Sequence, residues 1–499
     1  MTLLPSLPIT IPLAGAVLCM LFRRSIAVQK AIAFCTSAII LLTSLCIMAH
    51  TKNGTIAVMN VGSWQAPFGI TLAIDMLSSV MLVLVGLLAV GVSAYACFDL
   101  DRPRMQLGFF PLMLILLMGV NGAFVTGDLF NLYVWFEVLL TASFILLALG
   151  GERQQLEGSI KYVALNLLSS ALFLAGIGIL YGMAGTLNMA ELAHLVQEGG
   201  RGGLVTMVAV MFMMAFGIKC GMFPLYFWLP ASYPTPPAAV TALFSGLLTK
   251  VGVYSLIRVF TLIFDTDPDF LHGMILAGAG LTMLSGVLAA AAQYEMRKIL
   301  AVHIVSQIGY IVMGLGLFTK LALTGTIVYL IHVIIVKTNL FLVAGAINRI
   351  KGTYDLHKLG GLYKEKPGLS ILFIISAMSL AGVPPLSGFF AKLTLIIAGL
   401  RAESWLIVVV ALGVSLLTLY SMTKIWTYVF WKPAPEPLPD LDPMSKGKWF
   451  VFLLPMIGYT ILTIAIGVFA GPIFDYADAA AGQLMNPQGY IDAVLGGAK

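Results

Sequence analysis

The chain has 499 residues, 60% of them hydrophobic and only 10% charged, with a mean hydropathy of +0.99. A soluble chain carries about 25% charged residues, so a soluble globular fold is excluded as the default. The net charge of +6 is small for this length, and most Lys and Arg fall between apolar runs, where they report on membrane orientation rather than on nucleic acid.

Apolar runs approaching the ~20 residues that a bilayer core of ~30 Å demands of a helix recur along the whole chain. The pattern predicts an all-α integral membrane protein with about fourteen spans, near 4–22, 31–49, 71–98, 108–126, 128–149, 160–183, 204–228, 236–260, 271–292, 298–318, 321–347, 368–399, 404–430 and 449–471. The first run, Leu3 to Phe22, has no basic segment before it and no small-residue cleavage site after it, so it reads as a retained span. Asn188–Gly199 reads as a short amphipathic segment at the surface. The longest polar stretches are Arg349–Pro367 and Trp431–Lys448; the second contains KPAPEPLPDLDP, whose prolines cannot continue a helix. Neither holds a soluble domain. Cysteines 19, 35, 46, 97 and 220 are scattered without a CxxC pair and read as small buried hydrophobes, with no metal site or disulfide framework.

If the loop after the first span lies inside, 17 of the 28 basic residues fall in inside loops and 6 outside, the latter being Lys52, Arg201, Arg258, Lys320, Arg401 and Lys499. This bias places both termini outside. LFLAG at 172–176 in the sixth span resembles LFLVAG at 340–345 in the eleventh. Each is followed, one span later, by a Pro-interrupted helix with one lysine: Lys219 with Pro224, and Lys392 with Pro384 and Pro385. Matching interrupted spans in two halves point to inverted repeats with an ion path at the breaks.

The informative residues are charges deep inside apolar spans: Glu137, Lys219, Lys250, Lys337 and Lys392. Each costs about 2.5–3.5 kcal/mol at a helix centre, together roughly 12 kcal/mol or more, so pairing or a hydrated cavity must compensate. Burial shifts the proton affinity of such groups, which suits a proton relay; a static interhelical pair of Glu137 with Lys219 is the structural alternative. His332 precedes Lys337 by five residues, about 140° apart on a regular helix, so a π-bulge would be needed to align them. A buried hydrogen-bonded histidine is the plainer reading of His332. His303 is a weaker candidate, and Lys424, near a span end, fits snorkelling as well as transport. Pro224, Pro384 and Pro385 free backbone carbonyls that protein or water must satisfy, and Gly388 adds flexibility beside the second break.

The runs FGIKCGMFPLYFWLPASYPTPPAAVTALFSGLLTKVGVYSLIR (216–258), QYEMRKILAVHIVSQIGY (293–310) and SLAGVPPLSGFFAKL (379–393) resemble the motifs of the proton-translocating antiporter-like family shared by complex I membrane subunits and Mrp-type sodium/proton antiporters. VTALFSGLLTKVGVY, HIVSQIGY, IIVKTNLFLVAG and the tail NPQGYIDAVLG make the chain most similar to the D-type subunits of the Mrp antiporters. The resemblance implies two inverted five-helix repeats, spans 4–8 and 9–13, with helices 7 and 12 broken. The chain then divides into N-terminal spans (1–107), a first repeat (108–260), a second repeat (261–430) and a C-terminal loop, span and tail (431–499). It also implies that Glu137 is the essential glutamate of the fifth helix, Lys219 the lysine paired with it, Lys250 the connecting lysine of the eighth helix, Lys337 that of the eleventh and Lys392 the terminal group of the twelfth. Three features depart from relatives: Phe244 or its neighbours stand where some carry histidine, His332 is one residue further from Lys337 than usual, and one branch has glutamate at Lys392.

The implied function is proton translocation through Glu137, Lys219, Lys250, His332, Lys337 and Lys392, as one subunit of a multi-subunit Na⁺/H⁺ antiporter in a bacterial plasma membrane. Its partners would be other membrane subunits, protons, Na⁺ through the complex, and lipid. A pump subunit of an NADH–quinone oxidoreductase or membrane-bound hydrogenase is the alternative within the family; a non-transporting scaffold is the alternative outside it. No motif for NADH, flavin, iron–sulfur or another cofactor is apparent in the chain, so redox catalysis would belong to partners.

Overall fold

The computed structural model describes residues 3–199, 202–264, 268–436, 440–441 and 444–496. Among these, 12 helices are long and apolar enough to cross a membrane, from Leu4–Leu21 to Lys446–Val468. Two shorter apolar helices, Phe109–Val125 and Pro367–Ala381, stand where the fourth and twelfth spans are expected. The chain is a multi-pass membrane protein, and the helices are called below by the span number they occupy.

Helix starts follow the capping chemistry of the sequence. Asp75, Asp128 and Thr319 each precede an apolar run, and their side-chain oxygens accept from the amides of Ser78, Asn131 and Ala322, satisfying donors that have no partner inside the helix. Asp75 also explains a correction. Thr71–Ile74, expected inside the third span, is a strand paired antiparallel with Ala57–Asn60 in the register Ala57↔Ile74 to Asn60↔Thr71, and the helix starts at Met76. A short apolar run reads alike as strand or helix.

This hairpin is stitched to the loops on its side of the protein. Gly127 N–H donates to Thr71 C=O, Met189 N–H to Gly127 C=O, and Leu129 N–H to Leu187 C=O. The expected surface segment forms the helix Met189–Gly199. Two further helices, Ala470–Met485 and Gln488–Leu495, follow the fourteenth span where no element is expected. Span seven ends at Cys220 rather than near 228, with a separate short helix at Trp228–Ser232.

Burial is layered. The apolar windows of Ala238–Leu262, Met296–Leu317 and Lys320–Lys351 (spans eight, ten and eleven) are wholly buried inside the protein, whereas spans one and two leave two thirds of theirs facing outward. A helix apolar all round belongs in the centre of the bundle, and these three carry Lys250, His303, His332 and Lys337.

Other sequence expectations change. Arg258 is not a loop cation: it lies in span eight, buried, with its guanidinium 2.7 Å from the Asp75 carboxylate. Arg201 and Lys499, also counted outside, lie beyond the described residues. All five thiols are free, but Cys35 and Cys46 are exposed rather than buried. His272 lies near the start of span nine, as the span bounds imply, and is buried there with its Nδ1 3.0 Å from Leu315 C=O.

Candidate functional site

Spans seven and twelve break in the same way. Gly221 and Gly382 terminate their helices with φ of +81° and +93°, a conformation only glycine adopts without strain. Gly221 N–H bonds Gly217 and Ile218 C=O; Gly382 N–H bonds Met378 and Ser379 C=O. Cis X–Pro bonds at Pro224 and Pro385 follow.

Side chains take up carbonyls freed at these breaks, as a non-aqueous surrounding requires. Ile218 C=O accepts from the Trp228 indole at 2.9 Å. Ala381 C=O accepts from both Lys392 Nζ and Ser415 Oγ at 3.1 Å. Lysine contributes from opposite sides of the two breaks: Lys219 is in the last turn before the first, Lys392 in the helix after the second (Ser387–Arg401).

A third break has no proline to announce it. Span eight is interrupted at Leu247 into Ala238–Gly246 and Leu248–Leu262, and the freed Ser245 C=O accepts from Lys250 Nζ at 2.6 Å. Lys250 and Lys392 therefore each hold the carbonyl end of a half-helix, where the macrodipole favours a cation. The Ser245–Gly246 pair is the available sequence signal, since Gly/Ser pairs are a known site of kinks.

The expected Glu137–Lys219 contact is indirect. Lys219 Nζ donates to Ser170 Oγ of span six at 3.1 Å and lies 4.6 Å from the Phe136 ring centroid. Glu137 is half-buried, and its Oε1 has no hydrogen-bond partner. The two charges still feel each other electrostatically. Ser170, one of two serines in an ordinary-looking LLSSALF run, carries no sequence signal of its own.

Lys337 Nζ donates to Leu300 C=O of span ten at 3.1 Å. Lys250 and Lys392 are both among its charged neighbours. Span eleven is one unbroken α-helix, Lys320–Lys351, so no π-bulge aligns His332 with Lys337; a π-helical stretch lies instead at Trp426–Trp431. His332 faces the second break, with Nδ1 2.8 Å from Ser387 Oγ, and its electrostatic neighbours are Lys392 and Lys337. It therefore packs against the start of the half-helix Ser387–Arg401 that carries Lys392. Gly388 is needed here for space: a Cβ would lie 1.9 Å from Ser379 C=O and 2.8 Å from the His332 ring.

His303 is fully buried, neither ring nitrogen has a partner, and Lys337, Lys392 and Lys424 are its charged neighbours. Thr249 Oγ1, Ser306 Oγ, Gln307 Nε2 and His332 Nε2 are buried and unpartnered on the same three central spans. Lys424 is differently placed: its Nζ donates at 2.7 Å to both Ala291 and Gln293 C=O, closing the end of span nine beneath the Tyr294 ring. Among the described residues no group of three or more His, Cys, Asp or Glu is arranged to hold a metal ion.

A family model described as "NADH:quinone oxidoreductase/Mrp antiporter, TM" matches residues 126–418, which contain Glu137, Lys219, Lys250, His303, His332, Lys337 and Lys392 but not Lys424. The chain is 48% identical over 489 residues to the D-type subunit of the Na(+)/H(+) antiporter of Alkalihalophilus pseudofirmus, covering 98% of each, and 40% identical over the same length to that of Bacillus subtilis, again covering 98% of each. It superimposes on a chain of the Mrp complex from Dietzia sp. DQ12-45-1b with a TM-score of 0.92 at 34% identity, covering 99% of this chain and 100% of that one. A chain of respiratory complex I from Thermus thermophilus shares the fold, with a TM-score of 0.80 at 23% identity, covering 97% of this chain and 100% of that one. The chain thus belongs to the NADH:quinone oxidoreductase/Mrp antiporter transmembrane family, on the branch of the D-type antiporter subunits.

Proposed function

We propose that this chain carries protons across a bacterial plasma membrane as one subunit of a multi-subunit Na⁺/H⁺ antiporter. The observation that carries the reading is that Lys219, Lys250, Lys337 and Lys392 are all buried, at most 5% exposed, while none has a carboxylate within ion-pair distance among the described residues. Each amino group is bonded only to a hydroxyl or a backbone carbonyl. A carbonyl accepts from an ammonium or an amine alike, and a serine hydroxyl can reverse its role. Such a lysine gains or loses a proton without breaking an ion pair.

The proposed order is Glu137, Lys219, Lys250, Lys337, His332 and Lys392, with His303 beside Lys337. Unpartnered buried polar atoms cost about 1–3 kcal/mol each unless water reaches them, so the Thr249, His303, Ser306 and Gln307 atoms mark where water would complete the path. The breaks in spans seven and twelve are read as equivalent points of two inverted repeats, 108–260 and 261–430, with 1–107 and 431–499 flanking them and both termini outside. Na⁺ needs oxygen ligands, which a lysine-lined path does not supply; we assign it a route elsewhere in the complex.

The test is Na⁺-dependent proton movement in everted vesicles containing the assembled complex. Glu137→Ala and Lys219→Ala are expected to abolish transport while the complex still assembles. Normal transport by either variant would overturn the relay.

A further inference from the structure

The half-helix Ala238–Gly246 is held at both ends by ionisable groups. Its carbonyl end meets Lys250 through Ser245 C=O. Its amino end begins after Pro237, which offers no side-chain acceptor, and Asp99 of span three supplies one instead: Asp99 Oδ2 accepts from Ala239 N–H at 3.4 Å. A carboxylate at the positive end and an ammonium at the negative end are the favourable arrangement for a helix dipole.

Asp99 is not sealed in. It lines a polar cavity of about 240 Å³ on the same side of the protein as the loops bearing Arg104, Glu152 and Arg297. The orientation proposed above makes this the inner face. Two buried polar atoms of its lining have no hydrogen-bond partner, Gln155 Oε1 and Arg297 Nε, the latter 3.9 Å from the Glu295 carboxylate; Gln155 is only 1% exposed. The charged or titratable groups around Asp99 are Arg104, Glu152, Arg297 and Arg349, with Tyr354 and Tyr95.

We infer that Asp99 is the proton-exchanging group of an inner-face port, coupled to Lys250 through this half-helix. The inference rests on the relay reading and adds its inner terminus. A proton from inner water converts the Asp99 carboxylate to the carboxylic acid and returns to the same water when it leaves; no other bond changes. The helix has nine residues, about 13 Å at ~1.5 Å per residue. Across that distance in protein, loss of one negative charge changes the proton affinity of Lys250 by about tenfold.

The test uses the assembled complex in oriented vesicles. Asp99→Asn keeps an oxygen for the Ala239 amide and removes the titrating proton together with the negative charge. It is expected to slow transport at least fivefold and to flatten its dependence on inner pH, leaving the dependence on outer pH intact; Asp99→Glu should restore the inner-pH profile. A slower rate with an unchanged inner-pH profile would mean a purely structural cap and overturn the inference, as would an unchanged rate. In a cysteine-free background, Thr235→Cys should react with a membrane-impermeant maleimide from the inner face; reaction only from outside would also overturn it. Lys250→Ala separates the two readings. If it transports normally, the relay fails; if it is inactive while Asp99→Asn behaves as wild type, the relay stands and the port does not.

Discussion

Lys219 reaches across to Ser170 of span six at 3.1 Å instead of to the Glu137 carboxylate. A hydroxyl that can donate or accept serves both protonation states of the amine, whereas a salt bridge serves one. Ser170→Ala should therefore impair transport by about tenfold, the scale of a lost hydrogen bond to a charged group, while Lys219→Ala abolishes it. Initial rates of Na⁺-dependent alkalinisation in everted vesicles measure this. A silent Ser170→Ala would return the role to direct pairing with Glu137.

The Asp75–Arg258 pair joins the start of span three to the end of span eight, with both side chains buried and Ser78, Tyr254 and Tyr490 around the guanidinium. Removing one partner strands the other charge, which costs about 3–5 kcal/mol. Asp75→Asn should lower the thermal midpoint in detergent markedly, and Asp75→Asn with Arg258→Met should recover most of the loss. Asp75 lies just outside its span. Burial pushes its carboxyl up, but the Arg258 charge and hydrogen bonds, with those from Ser78, hold it below the usual carboxylate value. A carboxyl lowered on folding contributes stability that is complete above its unfolded pKa of about 3.9 and is lost as pH falls through the folded value. The wild-type midpoint should thus lose this contribution only below about pH 4, and Asp75→Asn should show a flatter acid limb.

Gly388 tests the packing at the second break. A methyl there would meet Ser379 C=O at 1.9 Å, and backbone cannot yield as a flexible side-chain end would. Gly388→Ala should destabilise by about 1–3 kcal/mol, the range for overpacking, and displace His332 from Ser387. Gly413→Ala is the control: nothing lies within 4 Å of its added Cβ, and within a helix the change should be neutral or stabilising by up to about 1 kcal/mol. Equal thermal midpoints for the two variants would refute the packing argument.

How much of this is legible in the sequence depends on whether the signal is local. Lys219, Lys250, Lys337 and Lys392 stand out because a charge in an apolar run is costly wherever it packs, and Gly221 and Gly382 sit beside prolines that announce their breaks. The partners are not legible. Ser170 is one serine among many, and Asp99 and Ala239 are 140 residues apart. Arg258 passes for a loop cation because it stands close to the expected span end, and nothing nearby in sequence marks its partner, Asp75. The geometry of His332 is half readable: helical periodicity gives its angle to Lys337, but only packing shows that it turns toward Ser387.

Lys392 and Lys424 make a matched pair for the last prediction, since each donates to the carbonyls that end a helix, Ala381 for one and Ala291 with Gln293 for the other. Loss of a cation at such an end costs about 0.3–2 kcal/mol depending on burial, so both alanine variants should lose some thermal stability. Only Lys392 also lies within reach of Lys337 and His332 on the proposed path. Lys392→Ala should therefore abolish transport, and Lys424→Ala should retain at least half of it at a temperature where both complexes stay assembled. Comparable loss from both would mean that these lysines act by securing helix ends, with no part in moving protons.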